Sequence, residues 1–266
     1  MKTPLRANNA PARPAPPAGE VPLPEQHLVS LVAPTSFEAE QYRILRHTVE
    51  QRHREAGLRV LAVTSPSGND GKTTTSINLA GALAQARDAR VLLLEADLRR
   101  PSILRQLGLG AGGPGLVEAV LDSTLRLEDL VRPCPAYNLD VLPCGKPPLA
   151  PYEVLKSSRL VALLEQAREA YDYVIIDTPP VVPCPDYRLL EKAVDGTLLV
   201  VAAHRTPRGL VDAALSLLDP ARVVGLVFNG DSGRGSRYQD HYYSAPEEKR
   251  PPLPWRAPGQ WFTRRR

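Results

Sequence analysis

The sequence predicts an α/β fold with a mostly parallel sheet flanked by helices on both faces. The first observation is a set of continuous apolar runs at 58–64, 91–95, 173–177 and 223–229. Strands buried on both faces of a parallel sheet are apolar throughout, whereas half-exposed strands alternate. The second is that a glycine-bearing loop and a segment with helical apolar spacing, 76–85, follow the first run. The third is that two of the runs end in carboxylates, as ligand-binding strand ends do.

The loop after the first predicted strand is typical of phosphate binding. Residues 65–75 read Ser-Pro-Ser-Gly-Asn-Asp-Gly-Lys-Thr-Thr-Thr. Backbone N–H groups of such a loop and the dipole of the following helix favour phosphate, while the Lys reaches the β- and γ-phosphates. The pattern therefore predicts a P-loop NTPase that binds ATP through Gly68, Asn69, Asp70, Gly71, Lys72, Thr73 and Thr74.

The loop departs from the usual pattern at its start. Pro66 stands where a Gly is usual, and Asn69 stands where a Gly is common, although Asn tolerates a left-handed backbone better than most residues. The alternative is a chance Gly-Lys-Thr turn between a strand and a helix.

Carboxylates at the strand ends predict the metal and catalytic groups. Glu95, Asp97 and Asp177 follow two of the apolar runs, and such ends face the ligand in parallel sheets. A carboxylate near phosphates holds Mg²⁺ or accepts a proton from an attacking hydroxyl. We expect Thr73, Asp97 and Asp177 to hold Mg²⁺. The alternative for each acid alone is a helix cap or a loop carboxylate.

These motifs resemble those of the bacterial tyrosine kinases of exopolysaccharide and capsule synthesis. Residues 95–99, Glu-Ala-Asp-Leu-Arg, are similar to the family's second Walker motif, Asp-x-Asp-x-Arg. Asp177 matches the Walker B Asp within a Tyr-Asp-Tyr-Val-Ile-Ile-Asp-Thr-Pro-Pro segment. The resemblance runs from about 36 to 229 and is nearest to the freestanding cytoplasmic type, not the type fused to a membrane domain.

The resemblance implies an autophosphorylating tyrosine kinase that uses ATP and Mg²⁺. Lys72, Asp97 and Glu95 would be its catalytic residues, with Asp97 the better candidate for the base. Glu95 stands where the family has Asp. It keeps the charge but reaches one methylene further, and misplacement by about 1 Å can cost ~10²-fold in rate. Two hypotheses follow: a kinase whose activity this Glu handicaps, or a nucleotide-gated assembly factor with little kinase activity.

Two further motifs concern assembly. Glu40, Arg43 and Arg46 match the family's Glu-x-x-Arg-x-x-Arg motif, which forms subunit contacts in a ring. Spacing of three puts them on one helical face, and the alternative is a solvated face with intrahelical ion pairs. Tyr238, Tyr242 and Tyr243 correspond to a tyrosine cluster that a neighbouring subunit phosphorylates, or else belong to a disordered tail that happens to hold aromatics.

Three residues near the predicted site have two interpretations each. Asn229, at the end of the last strand, either contacts adenine as its equivalents in related ATPases do or caps the strand. Arg99 and Arg100 lie either near the phosphates or in surface salt bridges. A partition-type ATPase is the third functional hypothesis; its deviant Walker loop carries an extra Lys five residues before Lys72, and here that position is Ser67.

Composition divides the chain into three parts. We expect a disordered Pro/Ala-rich arm at 1–34, the P-loop kinase domain at 35–230 and a disordered tail at 231–266, since neither end holds enough apolar residues to offset the entropy of ordering. No apolar run reaches the length of about 18 residues that spans a membrane. The resemblance then implies a membrane-bound adaptor that recruits a cytoplasmic kinase to the inner face of the cell membrane.

Charge and cysteine content exclude other classes. The net charge of +4 comes with no nucleic-acid recognition motif, so no nucleic-acid partner is expected. The basic–aromatic end, 261–266, either touches anionic lipid or is solvated. Three unevenly spaced cysteines suggest free thiols and neither a zinc site nor a disulfide framework.

Overall fold

The computed structural model describes residues 23–231. Their helices are α1 (Val29–Val32), α2 (Phe37–Ala56), α3 (Lys72–Ala84), α4 (Ile103–Gln106), α5 (Leu116–Leu121), α6 (Leu127–Leu130), α7 (Pro151–Lys156), α8 (Ser158–Ala170), α9 (Tyr187–Leu190) and α10 (Arg208–Leu217). Their strands are β1 (Val60–Thr64), β2 (Val91–Glu95), β3 (Arg132–Cys134), β4 (Leu139–Leu142), β5 (Tyr173–Asp177), β6 (Gly196–Ala202) and β7 (Val223–Asn229). Short 3₁₀ turns lie at Pro135–Tyr137 and Glu191–Ala193.

The seven strands form one sheet in the order β3-β4-β2-β5-β1-β6-β7. Every neighbouring pair is parallel except β3 and β4, which are antiparallel at one edge. The carboxyl ends of β1, β2, β5 and β6 therefore meet at the same edge of the sheet. The predicted α/β fold with a mostly parallel sheet is confirmed.

Each face of the sheet is covered by its own hydrophobic layer, which explains why the central strands are apolar throughout. Successive residues of a strand point to opposite faces, so Leu92 and Leu94 join one layer while Leu93 joins the other. Helices α1 to α4 contribute to the layer that contains Leu93, and α5 to α10 contribute to the opposite one. Both layers are needed because the central strands have no solvent-facing side.

The predicted boundary after residue 34 is wrong in position, because the chain packs on the core several residues earlier. Leu28 is fully buried. The Ser30 amide donates to the Asn78 side-chain carbonyl at 2.8 Å, and the Glu25 amide donates to the Gln106 carbonyl at 2.9 Å. One buried Leu and these two hydrogen bonds from backbone N–H groups anchor the segment, which a composition average over 1–34 does not detect.

No helix within residues 23–231 is long and apolar enough to cross a membrane.

In the same part of the chain, Cys134, Cys144 and Cys184 are all free, as expected. Burial raises the pKa of Cys134 to about 11 and that of Cys144 to about 12. These two thiols are therefore protonated and unreactive at neutral pH.

One carboxylate joins the amino-terminal ends of β1 and β6 to α8. Asp195, just before β6, accepts hydrogen bonds from the backbone N–H groups of Arg59 and Val60, both at 2.8 Å, and pairs with Arg168 at 2.7 Å. Burial alone would raise the pKa of Asp195, but these backbone and guanidinium donors outweigh it and lower that pKa.

We expect Asp195→Ala to destabilise the fold by about 2–3 kcal/mol, because hydrogen bonds to a charged group contribute roughly this much and three donors lose their acceptor. The pKa is lowered on folding, so the stabilisation is complete above the ordinary Asp value of 3.8 and is lost as the pH falls through the folded-state pKa. Urea unfolding at pH 7 and at pH 3 measures both effects. The exposed Glu128→Ala is the control; equal midpoints for the two variants at pH 7 would contradict the assignment.

Candidate active site

The loop between β1 and α3 has the backbone shape that a phosphate cradle requires. Asn69 and Gly71 have positive φ angles of 65° and 94°, which turn successive N–H groups toward one side. Gly71 is the N-cap of α3, so the first N–H groups of that helix are free for an anion. A Cβ at Gly71 would lie 1.7 Å from Nδ2 of Asn229, which leaves room only for Gly.

Lys72 and Asp97 form an ion pair inside the site. Lys72 Nζ lies 2.7 Å from Asp97 Oδ2, and both side chains are largely buried. Burial by itself would lower the pKa of Lys72, but the nearby charges of Asp177 and Asp97 outweigh it and raise that pKa. The ammonium is therefore charged at physiological pH and is held at the start of α3.

Thr73 and Asp177 form the second pair. The Thr73 hydroxyl donates to Asp177 Oδ2 at 2.7 Å, and the Ser76 hydroxyl donates to Oδ1 of the same carboxylate at 3.2 Å. Asp177 ends β5 and is fully buried, and burial raises its pKa to about 7 against the opposing effects of Lys72 and Thr73. The Asp177 carboxylate and the Thr73 hydroxyl offer the oxygen ligands that Mg²⁺ binds.

A cavity of about 740 Å³ opens beside these pairs. Its walls are the phosphate loop on one side and the chain after β2 on the other. The lining residues are Gly68, Asn69, Gly71, Lys72, Thr73, Thr74, Asp97, Arg99, Arg100, Pro101, Ser102, Arg105, Gln106, Pro179, Pro180, Pro183 and Cys184. The volume and the cationic walls fit a nucleoside triphosphate.

The structure does not bring Glu95 to this cavity. Its carboxylate accepts hydrogen bonds from the backbone N–H groups of Ser102, of Ile103 at 2.7 Å and of Cys144 at 3.2 Å. Glu95 is 2% exposed and is absent from the cavity lining. The extra methylene of Glu95 places its carboxylate against backbone amides and not beside the Asp97 carboxylate. A catalytic role for Glu95 stays a prediction that this arrangement does not favour.

The Asp70 side chain points away from a role in phosphate binding, which was predicted for the backbone of its loop. Its carboxylate accepts hydrogen bonds from the Ser67 backbone N–H at 2.9 Å and from the Thr206 hydroxyl at 2.8 Å. A carboxylate would repel phosphate, and here it braces the loop from behind. Among the residues predicted to bind nucleotide, Asp70 can contribute only its backbone.

Asn229 contacts the phosphate loop. Its side-chain Nδ2 donates to the Asp70 carbonyl at 3.1 Å, so the amide nitrogen is used within the protein. The contact ties the end of β7 to the loop. An adenine contact through the remaining amide oxygen stays a prediction.

Sequence reasoning missed the segment after β6. Thr206 bonds Asp70, and the Arg205 guanidinium donates to the Asn69 carbonyl. The signal was present: β6 is another continuous apolar run, 196–202, and its carboxyl end lies at the same sheet edge as β1. Polar residues just after that run were candidates for the site.

Arg99 lies beside the cavity and also forms a salt bridge, the two positions that were expected as alternatives. It lines the cavity and also forms a two-point ion pair with the buried Asp186, with distances of 2.7 and 3.1 Å. Arg100 lines the cavity near Gly68. Both lie near the predicted phosphate position, and Arg99 is held there by Asp186.

The three residues of the predicted subunit contact make contacts within the chain. Arg43 pairs with Glu40 and donates to the Pro34 carbonyl. Arg46 pairs with Glu50 at 2.6 Å and donates to the Ala82 carbonyl at 2.8 Å, at the end of α3. The ion pairs of the alternative interpretation are thus present, and the subunit contact stays a prediction. Tyr238, Tyr242 and Tyr243 lie outside the described residues.

Comparison with known proteins places the chain among kinases. A family model described as an AAA domain matches residues 58–204. The tyrosine-protein kinase YwqD of Bacillus subtilis is 32% identical over 208 residues, which cover 77% of this chain and 86% of YwqD. The tyrosine-protein kinase Wzc of Salmonella typhi is 30% identical over 221 residues, 82% of this chain but 30% of Wzc.

A solved structure gives the same result. The kinase domain of the Escherichia coli tyrosine kinase ETK superposes with a TM-score of 0.71 at 29% identity, covering 76% of this chain and 79% of that one. Sequence and fold agree over the segment that carries the loop, the strand-end acids and the cavity. The chain therefore belongs to the family of bacterial tyrosine-protein kinases.

Proposed function

We propose that the chain transfers the γ-phosphoryl group of ATP to tyrosines of its own C-terminal segment. The observation that supports this most strongly is the Lys72–Asp97 pair at 2.7 Å on the wall of the cavity. It places a cation for the phosphates beside a carboxylate able to accept a hydroxyl proton. The membership of a tyrosine-protein kinase family makes tyrosine the acceptor.

The donor set fits ATP with Mg²⁺. Within residues 23–231 no group of three or more His, Cys, Asp or Glu side chains forms a metal cluster. Mg²⁺ instead uses one or two carboxylates together with phosphates and waters, which matches the Thr73 hydroxyl with Asp177 and the nearby Asp97. Bound there, Mg²⁺ would neutralise charge on the phosphates.

The protein's own groups then have separate tasks. Backbone N–H groups at the start of α3 bind phosphate oxygens, and Lys72 neutralises the β- and γ-phosphates. Asp97 accepts the proton of the incoming tyrosine, whose pKa of ~10 keeps it protonated at neutral pH. Before transfer, the Lys72 ammonium turns from Asp97 to the phosphates, which leaves the Asp97 carboxylate free to accept that proton.

The acceptors are Tyr238, Tyr242 and Tyr243 of a neighbouring subunit. The subunits form a ring through the helical face of Glu40, Arg43 and Arg46. Phosphorylation adds close to two negative charges per tyrosine, and repulsion between crowded tails favours disassembly of the ring. Such a cycle between ring and monomer controls the chain length or export of an exopolysaccharide or capsule.

A membrane-bound adaptor of the polysaccharide co-polymerase type would recruit and activate the kinase at the inner face of the cell membrane. The lengths of the relatives support this. The chain matches most of YwqD but only 30% of Wzc, so the matched part is one portion of a larger protein in Wzc.

Phosphosite mapping by mass spectrometry tests the proposal. The full chain is co-expressed with the cytoplasmic segment of its candidate adaptor, beside a variant with Phe at positions 238, 242 and 243. We expect phosphate on the three tyrosines and its loss in the variant. Steady ATP hydrolysis without phosphotyrosine would instead indicate a partition-type ATPase, and nucleotide binding with neither activity would indicate an assembly switch.

A further inference from the structure

Glu95 is the buried acid that the proposed mechanism leaves without a part. Its two carboxylate oxygens are divided between two places in the chain. Oε1 accepts from the consecutive N–H groups of Ser102 and Ile103, and Oε2 accepts from the N–H of Cys144. The partners lie at the start of α4 and just after β4, so one side chain joins three segments of the backbone.

The hydrogen bonds of Glu95 hold together the two ends of the segment 95–102, which forms one wall of the cavity. The chain leaves β2 at Glu95 and returns to its carboxylate at Ser102, and the intervening turn carries Asp97 and Arg100. Within the turn, Asp97 accepts from the Arg100 amide at 3.1 Å. The lining residues contributed by this part of the chain are Asp97, Arg99, Arg100, Pro101, Ser102, Arg105 and Gln106. If the carboxylate released Ser102 and Ile103, the start of α4 and the turn before it would lose their anchor to β2.

A backbone hydrogen bond to β5 holds the start of this turn. Ala96, the residue after Glu95, donates its N–H to the Asp177 carbonyl at 2.8 Å, so the backbone at the end of β2 cannot shift toward α4. The Glu95 carboxylate must therefore reach from this strand end to the Ser102 and Ile103 N–H groups with one oxygen and to the Cys144 N–H with the other. Asp is one methylene shorter and cannot satisfy both sides, which is a physical reason for Glu at this position.

We propose that Glu95 is a positioning residue of the kinase: it holds residues 97–103, which form one wall of the cavity, and their cationic side chains against the nucleotide. Of the two acids, Asp97 alone contacts the reacting groups. The inference rests on the proposed function for its kinetic consequence. Its structural consequence, the geometry of the nucleotide pocket, is measured without catalysis.

The test uses the purified full chain with Glu95→Asp and Glu95→Gln. The Asp side chain is one methylene shorter than Glu. Gln keeps the length of the side chain, but its NH₂ group replaces one acceptor oxygen and cannot accept from a backbone N–H. The matched control is Glu118→Gln, because Glu118 also accepts from two backbone N–H groups, of Gly115 at 2.8 Å and Lys146 at 3.0 Å, and lies outside the cavity. All are compared in urea unfolding, binding of a fluorescent ADP analogue with Mg²⁺, and tyrosine phosphorylation.

We expect both Glu95 variants to weaken ADP binding and raise the KM for ATP about tenfold, which corresponds to about 1.4 kcal/mol. The kcat should stay within a factor of about three, and the acid limb of its pH profile should not move. Amide hydrogen exchange at Ser102 and Ile103 should accelerate. The Glu118 variant should lose stability without a change in ADP affinity.

Two results would overturn the inference. A fall in kcat of ~10²-fold or more with unchanged ADP affinity would make Glu95 a reacting group. A rise in turnover for Glu95→Asp with unchanged affinity would show that the Glu only handicaps catalysis. If neither the wild-type chain nor any variant phosphorylates tyrosine when the cytoplasmic segment of the candidate adaptor is added, the proposed function fails, while the ADP affinities still decide whether Glu95 positions the pocket wall.

Discussion

Replacing Lys72 by Met is expected to reduce tyrosine phosphorylation by about 10³-fold or more while the fold is kept. Lys72 supplies the positive charge that lies nearest Asp97 and Asp177 in the cavity. In a site shielded from water, one preorganised charge on the transferring phosphoryl group contributes ~10²–10³-fold or more to the rate. Met keeps the length and the apolar stem of the side chain, so its packing on α3 survives.

The measurement is phosphotyrosine by mass spectrometry on purified protein, with circular dichroism to confirm the fold. Lys192→Met is the control, because Lys192 is exposed and lies outside the cavity lining. Phosphotyrosine that persists in Lys72→Met but not in a chain denatured beforehand would refute the proposed mechanism. It would mean that another group neutralises the phosphates.

Asp97→Asn is expected to lower kcat by roughly 10²–10⁴-fold, the usual contribution of a positioned general base. The substitution is nearly isosteric, and the amide oxygen can still accept from the Arg100 N–H, which bonds Asp97 Oδ1 at 3.1 Å. Lys72 loses its ion-pair partner but keeps the charge of Asp177 nearby. Nucleotide affinity should change much less than kcat, because Lys72 remains available to the phosphates and the Thr73–Asp177 pair that would hold Mg²⁺ is intact.

The two measurements here are steady-state phosphorylation and binding of a fluorescent ADP analogue. Asp172→Asn is the control, because Asp172 pairs with Arg90 at an exposed site. An equal loss of affinity and rate would show that Asp97 serves ground-state binding and is not the base. The double variant with Lys72→Met should be little worse than either single variant, because residues in direct contact act as a unit.

Much of the fold could be predicted from the sequence, because strands that are buried on both faces have continuous apolar sequences. Continuous apolar runs predicted β1, β2, β5 and β7, and the four strands form there. β7 differs from the other three because it is an edge strand with partly exposed residues, so its apolar run does not reflect burial on both faces. The antiparallel edge strand β3 is short and contains Pro133, so no run of apolar residues marked it. The early anchor at Leu28 also escaped, since one buried Leu is invisible in the average composition of a Pro-rich segment.

The candidate site was predictable where the chemistry is carried by local backbone. The loop at 68–74 depends on glycine conformation and on the helix that follows, and both are encoded in adjacent residues. Asp177 was found because it ends a buried strand, where the parallel sheet presents ligand-binding groups. The positions of Thr206 and Asn229 against the loop depend on strands distant in sequence.

By itself the sequence determined the class of fold, the phosphate loop and the family, because buried runs, glycine positions and motif spacing are properties of the local chain. Only the tertiary structure decided the direction of each carboxylate. Asp97 and Glu95 are two residues apart and carry the same charge, yet one pairs with Lys72 and the other with three backbone amides. That choice depends on which donors the folded chain brings within hydrogen-bond distance, and those donors come from α3, α4 and the end of β4.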